Sequence, residues 1–232
     1  GVISSIYLEN AARFREYDVI AVADIIEDRA KAQAEKFDIP KALSVDDLLA
    51  DSDVELVLNL TIPAAHADIT QRALRAGKAA YSEKPLAITR EDGQAILDVA
   101  KATGKLVGCA PDTFLGGGIQ TVNHLIEQGT VGTPFGAFAH FGTPGPERWH
   151  PDPSFFFQPG AGPVLDMGPY YLTTLVALFG PMKRITAVAS TPTAERPLGQ
   201  GPKARQKILV NVDTTVTPII EMENGVIATL LI

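Results

Sequence analysis

The string Tyr81-Ser82-Glu83-Lys84-Pro85-Leu86 offers the clearest chemistry in the chain. A short β-rich run ends there in a Glu-Lys-Pro turn, at what would be the carboxyl edge of a sheet, where ligands bind in open α/β folds. An ordinary turn would also carry a Glu-Lys pair before a Pro. Upstream, Thr61-Ile62-Pro63-Ala64-Ala65-His66 ends another strand and opens a helix. His66 is equally a candidate ligand contact and a histidine packed for structure. Asp24 ends a third strand, and Gly1-Val2-Ile3-Ser4 precedes it by about 20 residues, the spacing at which a carboxylate takes both ribose hydroxyls of NAD. The same Asp would repel the 2′-phosphate of NADP, and Ile25 and Ile26 follow it rather than an Arg. NAD is therefore favoured over NADP, although a strand-ending Asp also serves to cap a helix. Gly1, Val2 and Ile3 read as the last half of a G-x-G-x-x-(G/A/S) turn, whose helix N-terminus faces a pyrophosphate.

A second concentration of chemistry lies in Pro146-Glu147-Arg148-Trp149-His150-Pro151-Asp152-Pro153, followed by Phe155-Phe156-Phe157. It holds the only Trp of the chain. An aromatic face packs against the C–H face of a sugar while charged groups take the hydroxyls, so Arg148, Trp149 and His150 are candidate substrate contacts. Asp112, in the turn Ala110-Pro111-Asp112, is another. The loop would equally pack against a neighbouring subunit. Four widely spaced histidines and one cysteine, Cys109, give no metal-ligand pattern. Tyr7, His124 and His140 read as structural.

These residues need elements to position them. Strand-like runs at Asp18–Ala23, Val54–Leu60, Ala79–Ser82 and Leu106–Cys109 alternate with helical spacing at Ile6–Phe14, Arg29–Phe37, Val45–Leu49, Ala64–Ala76 and Glu91–Thr103. Ser44 and Thr89 sit where N-caps belong, and Gly77 and Gly104 where helices stop. Such alternation predicts an α/β parallel sheet covered on both faces, over residues 1–110. From 111 to 232 the pattern becomes α+β, with a mostly antiparallel sheet. It predicts a helix over Gly117–Gln128, a strand near Phe135–Phe141, a helix from Val164 to Phe179, and strands at Arg184–Ser190, Ile208–Thr217 and Val226–Ile232. Asn224-Gly225 marks a hairpin, and Pro192–Arg205 reads as an exposed loop.

Composition narrows the function class. Of 232 residues 46% are apolar and 20% charged, which suits a globular protein. The net charge of −7, without a basic stripe, argues against a nucleic-acid or anionic-membrane partner. No apolar run approaches the roughly 18 residues needed to cross a bilayer. One cysteine fits a reducing, cytoplasmic setting. The chain opens without Met on half a glycine turn and ends inside an apolar run, so it reads as cut at both ends, with a first strand expected upstream.

Taken together, the glycine turn, Asp24, the Thr61–His66 stretch and above all Glu83-Lys84-Pro85 resemble the Gfo/Idh/MocA oxidoreductases, the glucose–fructose oxidoreductase and inositol dehydrogenase group. The resemblance covers nearly the whole chain. It implies an NAD-binding Rossmann domain over 1–110 and a substrate and oligomerisation domain over 111–232, whose open sheet supports homodimers or homotetramers. It further implies hydride transfer between NAD(P) and a hydroxyl-bearing carbon of a sugar or polyol. Thr61, Ile62, Pro63 and His66 would line the cofactor with Glu83, Lys84 and Pro85, and Lys84 would lie near the nicotinamide and the substrate oxygen. The family's G-G-x-x-x-D-x-G-x-H motif reads here Gly160-Ala161-Gly162-Pro163-Val164-Leu165-Asp166-Met167-Gly168-Pro169-Tyr170. Asp166 matches, but Tyr170 replaces the histidine, one helical turn from Asp166. Tyr, with an ordinary pKa of about 10, works as a base beside a cation; Lys84 would be that cation, with Asp166 orienting the substrate or the lysine. Lys84 acting alone, a silent NAD-binding sensor and an NAD-dependent glycosidase are the alternatives.

Overall fold

A computed structural model describes residues 3–150, 153–199 and 204–232. The chain divides into two compact units, Gly1–Ala110 and Pro111–Ile232.

In the first unit, helix α1 (Ser4–Ala11) precedes β1 (Ala21–Ala23), α2 (Glu27–Lys36), β2 (Lys41–Leu43), α3 (Val45–Ala50), β3 (Leu56–Asn59), α4 (Pro63–Arg75), β4 (Ala79–Ser82), α5 (Arg90–Thr103) and β5 (Val107–Cys109). Every strand pairing is parallel. The strands form two hydrogen-bonded sets, β2-β1 and β3-β4-β5, and no strand among the described residues bridges β1 to β3. Leu49, Val54, Val57, Ala73, Leu74, Ala80 and Ile96 make the core, with Ile20 and Ala21 packed against it. Ser44 and Thr89 cap α3 and α5 by accepting from the amides of Asp47 and Asp92, as their sequence positions require. Coverage is less complete than the alternation implies, because Leu56 and Leu58 of β3 stay exposed. Strand β2 carries no β-rich signal and was not expected.

In the second unit, α6 (Gly117–Glu127) leads to β6 (Gly136–His140), α7 (Pro163–Asp166), α8 (Gly168–Phe179), β7 (Met182–Ser190), β8 (Glu195–Pro197), β9 (Lys207–Leu209), β10 (Thr215–Met222) and β11 (Ile227–Leu231). The main sheet has order β6-β11-β10-β7. It is antiparallel except for the β6/β11 pairing. The hairpin at Asn224-Gly225 joins β10 to β11, with the Met222 amide donating to the Val226 carbonyl at 2.9 Å. Leu175, Ile220, Met222, Val226 and Ala228 fill the core beneath one face. The other face is open, with Phe138 73% and Val188 76% exposed.

Three expectations fail in this unit. The helix over Val164–Phe179 is two helices, broken at Met167. Pro169 lacks the N–H that would donate to the Leu165 carbonyl, and its ring would meet that carbonyl in a continuous helix. The run Ile208–Thr217 splits between β9 and β10. The supposed loop Pro192–Arg205 contains β8, which pairs antiparallel with β9 and brings the buried Leu198 with it. No helix among the described residues is long and apolar enough to cross a membrane.

Candidate functional site

At the carboxyl ends of β3 and β4 the first unit gathers a close cluster of polar groups. Asn59, the last residue of β3, is 2% exposed. Its amide donates to the His66 carbonyl and to the Thr70 hydroxyl, both at 3.0 Å. Its Oδ1 accepts from the Thr61 hydroxyl at 2.7 Å and from the Thr61 amide. Its own carbonyl accepts from the Glu83 amide at 2.9 Å, so one residue ties the turn after β3 to the turn after β4. Nothing about Asn59 stood out as a motif. An Asn inside an otherwise apolar strand run was the available signal, because a buried amide must find four partners.

His66, on the first turn of α4, is 1% exposed. Its Nδ1 lies 2.6 Å from the Pro85 carbonyl and its Nε2 3.1 Å from the Thr61 carbonyl. Two carbonyl acceptors thus face the two nitrogens of one ring. The side chain therefore braces the Glu-Lys-Pro turn through the Pro85 carbonyl. The Lys84-Pro85 peptide is cis.

Glu83 is held from two sides. The Tyr7 hydroxyl of α1 donates to Oε1 at 2.8 Å, and the Lys84 amide donates to Oε2 at 2.9 Å. Tyr7, set aside on sequence as structural, is thus part of this cluster; nothing in its local spacing announces a partner 76 residues away. Lys84 is half-buried between Glu83 and the buried Pro85. Cys109, at the end of β5, donates to the Ala110 carbonyl at 2.9 Å. Burial, with the Glu83 carboxylate nearby, pushes its thiol up to about 11.

Asp24 lies one residue past β1, partly buried. Its Oδ1 accepts from the Ile26 amide at 2.9 Å, an Asx turn just ahead of α2, whose N-cap Ile26 has no side-chain cap bond; Asp24 therefore does not cap the helix. Its Oδ2 accepts no hydrogen bond from the described residues. A carboxylate at a strand's carboxyl end with one oxygen open fits a ribose diol, and the exposed Thr61 and Ile62 follow the carboxyl end of β3. The residues present therefore fit a dinucleotide. Gly1 and Val2 lie outside the described residues, and Ile3 precedes α1.

In the second unit, Asp166 ends α7 and Tyr170 lies in the first turn of α8, both half-buried. Because the helix breaks at Met167, they do not share one continuous helical face. Tyr171 packs on Phe141, ring centroids 5.9 Å apart. Arg148 and Trp149 are exposed and His150 half-buried. The rings of Trp149, His150, Phe155 and Phe156 meet edge-on or stacked, with centroids 4.1–6.2 Å apart. Asp112 is exposed at the start of the 3-10 turn Thr113–Leu115. No group of three or more His, Cys, Asp or Glu among the described residues could hold a metal ion.

Comparison with known proteins settles the family. Residues 1–110 match the profile "Oxidoreductase family, NAD-binding Rossmann fold" and residues 119–232 match "GFO/IDH/MocA C-terminal domain". The chain belongs to the Gfo/Idh/MocA family. Inositol 2-dehydrogenase of Salmonella typhimurium is 34% identical over 138 residues, which is 58% of this chain and 41% of that protein. Trans-1,2-dihydrobenzene-1,2-diol dehydrogenase of Bos taurus is 29% identical over 91% of this chain and 58% of its own. Among solved structures, levoglucosan dehydrogenase superposes with a TM-score of 0.84 at 25% identity, over 98% of this chain and 63% of its own. An NAD-binding protein from Listeria innocua gives 0.77 at 28% identity, over 100% and 64%. The chain thus spans about two-fifths to two-thirds of the length of these Gfo/Idh/MocA relatives, and carries an NAD-binding Rossmann fold over residues 1–110.

Proposed function

We propose that this chain acts as an NAD-dependent oxidoreductase on a hydroxyl-bearing carbon of a sugar, polyol or related compound. The observation that carries the reading is the strand-end cluster, in which Asn59, His66, Glu83 and Tyr7 fix the turn bearing Lys84. Names of relatives that denote inositol, dihydrodiol and levoglucosan dehydrogenases support the substrate class. NAD, when bound, supplies the hydride acceptor. Oxidation of an alcohol also needs a group to take the hydroxyl proton. Lys84 takes or relays it in this reading, with Tyr170 sharing the transfer and Asp166 orienting the hydroxyl. Asp24 binds the ribose through its open oxygen and selects NAD over NADP; Gly1, Val2, Ile3, Thr61, Ile62, Pro63 and Pro85 line the dinucleotide. His66 supports that lining from beneath, as its burial dictates. Arg148, Trp149, His150 and Asp112 are the substrate contacts.

The open apolar face of the β6-β11-β10-β7 sheet is where a second copy of the chain would sit, giving a homodimer or homotetramer. A single cysteine suits a reducing compartment, the cytoplasm in this reading. The replacement of the family histidine by Tyr170 favours one rival, a silent NAD-binding sensor.

The test is a titration with NADH and NADPH, followed by energy transfer from protein aromatics to nicotinamide, then a turnover screen of polyols and sugars. Preferential NADH binding with turnover that Lys84→Met abolishes supports the enzyme. Binding without turnover favours the sensor, and no binding removes both.

A further inference from the structure

We propose that the Glu147–Arg196 ion pair is a positioning device that sets the attitude of the Arg148-Trp149-His150 loop; the proposal rests on reading that loop as the substrate contact. Glu147 is buried, an unusual place for a carboxylate. Its Oε1 pairs with Arg196 Nε at 2.8 Å. Oε2 is also buried and receives no hydrogen bond from the described residues. The Arg196 guanidinium donates a second bond to the Pro144 carbonyl at 2.6 Å and lies 5.5 Å from the Phe157 ring centroid. One planar fork on the β8–β9 hairpin therefore grips both ends of the loop, at Pro144 and at Phe157.

The backbone is shaped around this grip. Gly145 has φ +117°, and a Cβ there would collide with both Glu147 carboxylate oxygens. The Gly199 amide donates to the Glu147 carbonyl at 2.9 Å, where a Cβ on Gly199 would sit 2.8 Å from that same oxygen. Two glycines thus let loop and hairpin close on the buried carboxylate. As a source of stability the arrangement is poor, since a buried pair recovers its desolvation only when every lone pair is satisfied. As a source of geometry it is strong. The amides of Trp149 and His150 donate to Pro146, one residue before Glu147, so the exposed indole is fixed by where Glu147 is held.

Trp149 is the only tryptophan, so its emission and acrylamide quenching report the loop directly. The variants are Glu147→Gln, Arg196→Lys, and the double replacement Glu147→Met with Arg196→Met, which removes both charges together. Because paired removal of a buried ion pair is often neutral, the double variant is expected to melt within about 4 °C of the parent. Its Trp149 quenching should nonetheless rise, with substrate KM up about tenfold or more, kcat within about threefold and NADH affinity unchanged. Arg196→Lys keeps the charge but not the fork, and should recover only part of the parent behaviour. Unchanged quenching and KM in the double variant would overturn the proposal, as would a lower melting temperature with unchanged quenching, the mark of a brace alone. If the parent turns over no sugar or polyol, the activity reading fails while Trp149 quenching still decides the positioning one.

Discussion

The strand-end cluster of the first unit and the aromatic loop of the second are built in opposite ways. Around Asn59 and His66 the ties are hydrogen bonds, most of them to backbone carbonyls or amides and two to the Thr61 and Thr70 hydroxyls, and they span at most 24 residues, from Asn59 to Glu83. Tyr7 is the one long-range member. Around Trp149 the ties are a single ion pair, ring edges and a few amides, and they reach 52 residues from Pro144 to Arg196. The first construction fixes the backbone itself, which suits a ligand of constant shape. The second fixes a few side chains on a loop, which suits a face that must differ between substrates. In the first region stability and binding should move together; in the second they should separate.

The largest expected effect tests the first half of that contrast. Asn59→Leu removes four hydrogen bonds and leaves the His66 carbonyl and the Thr61 groups without their partner. A buried group left unpaired costs about 1–3 kcal/mol, so a loss of about 3 kcal/mol is expected in urea denaturation, with NADH affinity falling in step. An intact midpoint would show that the turns after β3 and β4 hold themselves. His66→Gln should cost less, about 1–2 kcal/mol, because an amide reaches one of the two carbonyls. Trp149→Ala is the counterpart in the second region. With the indole 61% exposed, its removal should change stability by less than about 0.5 kcal/mol while raising substrate KM severalfold. A stability loss as large as that of Asn59→Leu would erase the distinction.

The same contrast explains what the sequence made legible. The Ser44 and Thr89 caps and the Asn224-Gly225 hairpin depend on residues a few positions apart, and they stand where the sequence puts them. Glu83-Lys84-Pro85 was legible as a site because its residue types are chemical. Asn59 was hidden inside a strand run, and Tyr7 inside a helix, since their partners come only with the tertiary fold. The break at Met167 was readable from Pro169 but was masked by the apolar spacing on either side. The β8–β9 hairpin was invisible for a different reason: Pro, Gly and charge imply exposure, yet Leu198 is buried and Arg196 pairs with Glu147, a residue some 50 positions earlier.

The smallest expected effect probes how closed the strand-end cluster is. Cys109 is the only cysteine, so alkylation by iodoacetamide reads one position. Burial first, and then the negative charge of Glu83, raise its thiol from an ordinary value of 9.0 to about 11, so the reactive thiolate is scarce at pH 8. Labelling of the native protein at pH 8 should be slow, and in urea rapid and complete. The sign of the stability effect follows from the raised value. Below pH 9 both folded and unfolded chains hold the proton and the contribution is intact. Between pH 9 and about 11 the unfolded chain releases it first, and stability declines. Replacing Glu83 by Gln removes the lesser of the two causes, so labelling of Cys109 should quicken modestly. Rapid native labelling in the parent at pH 8 would mean that the cluster opens readily, and the contrast with the aromatic loop would then be one of sequence separation and not of rigidity.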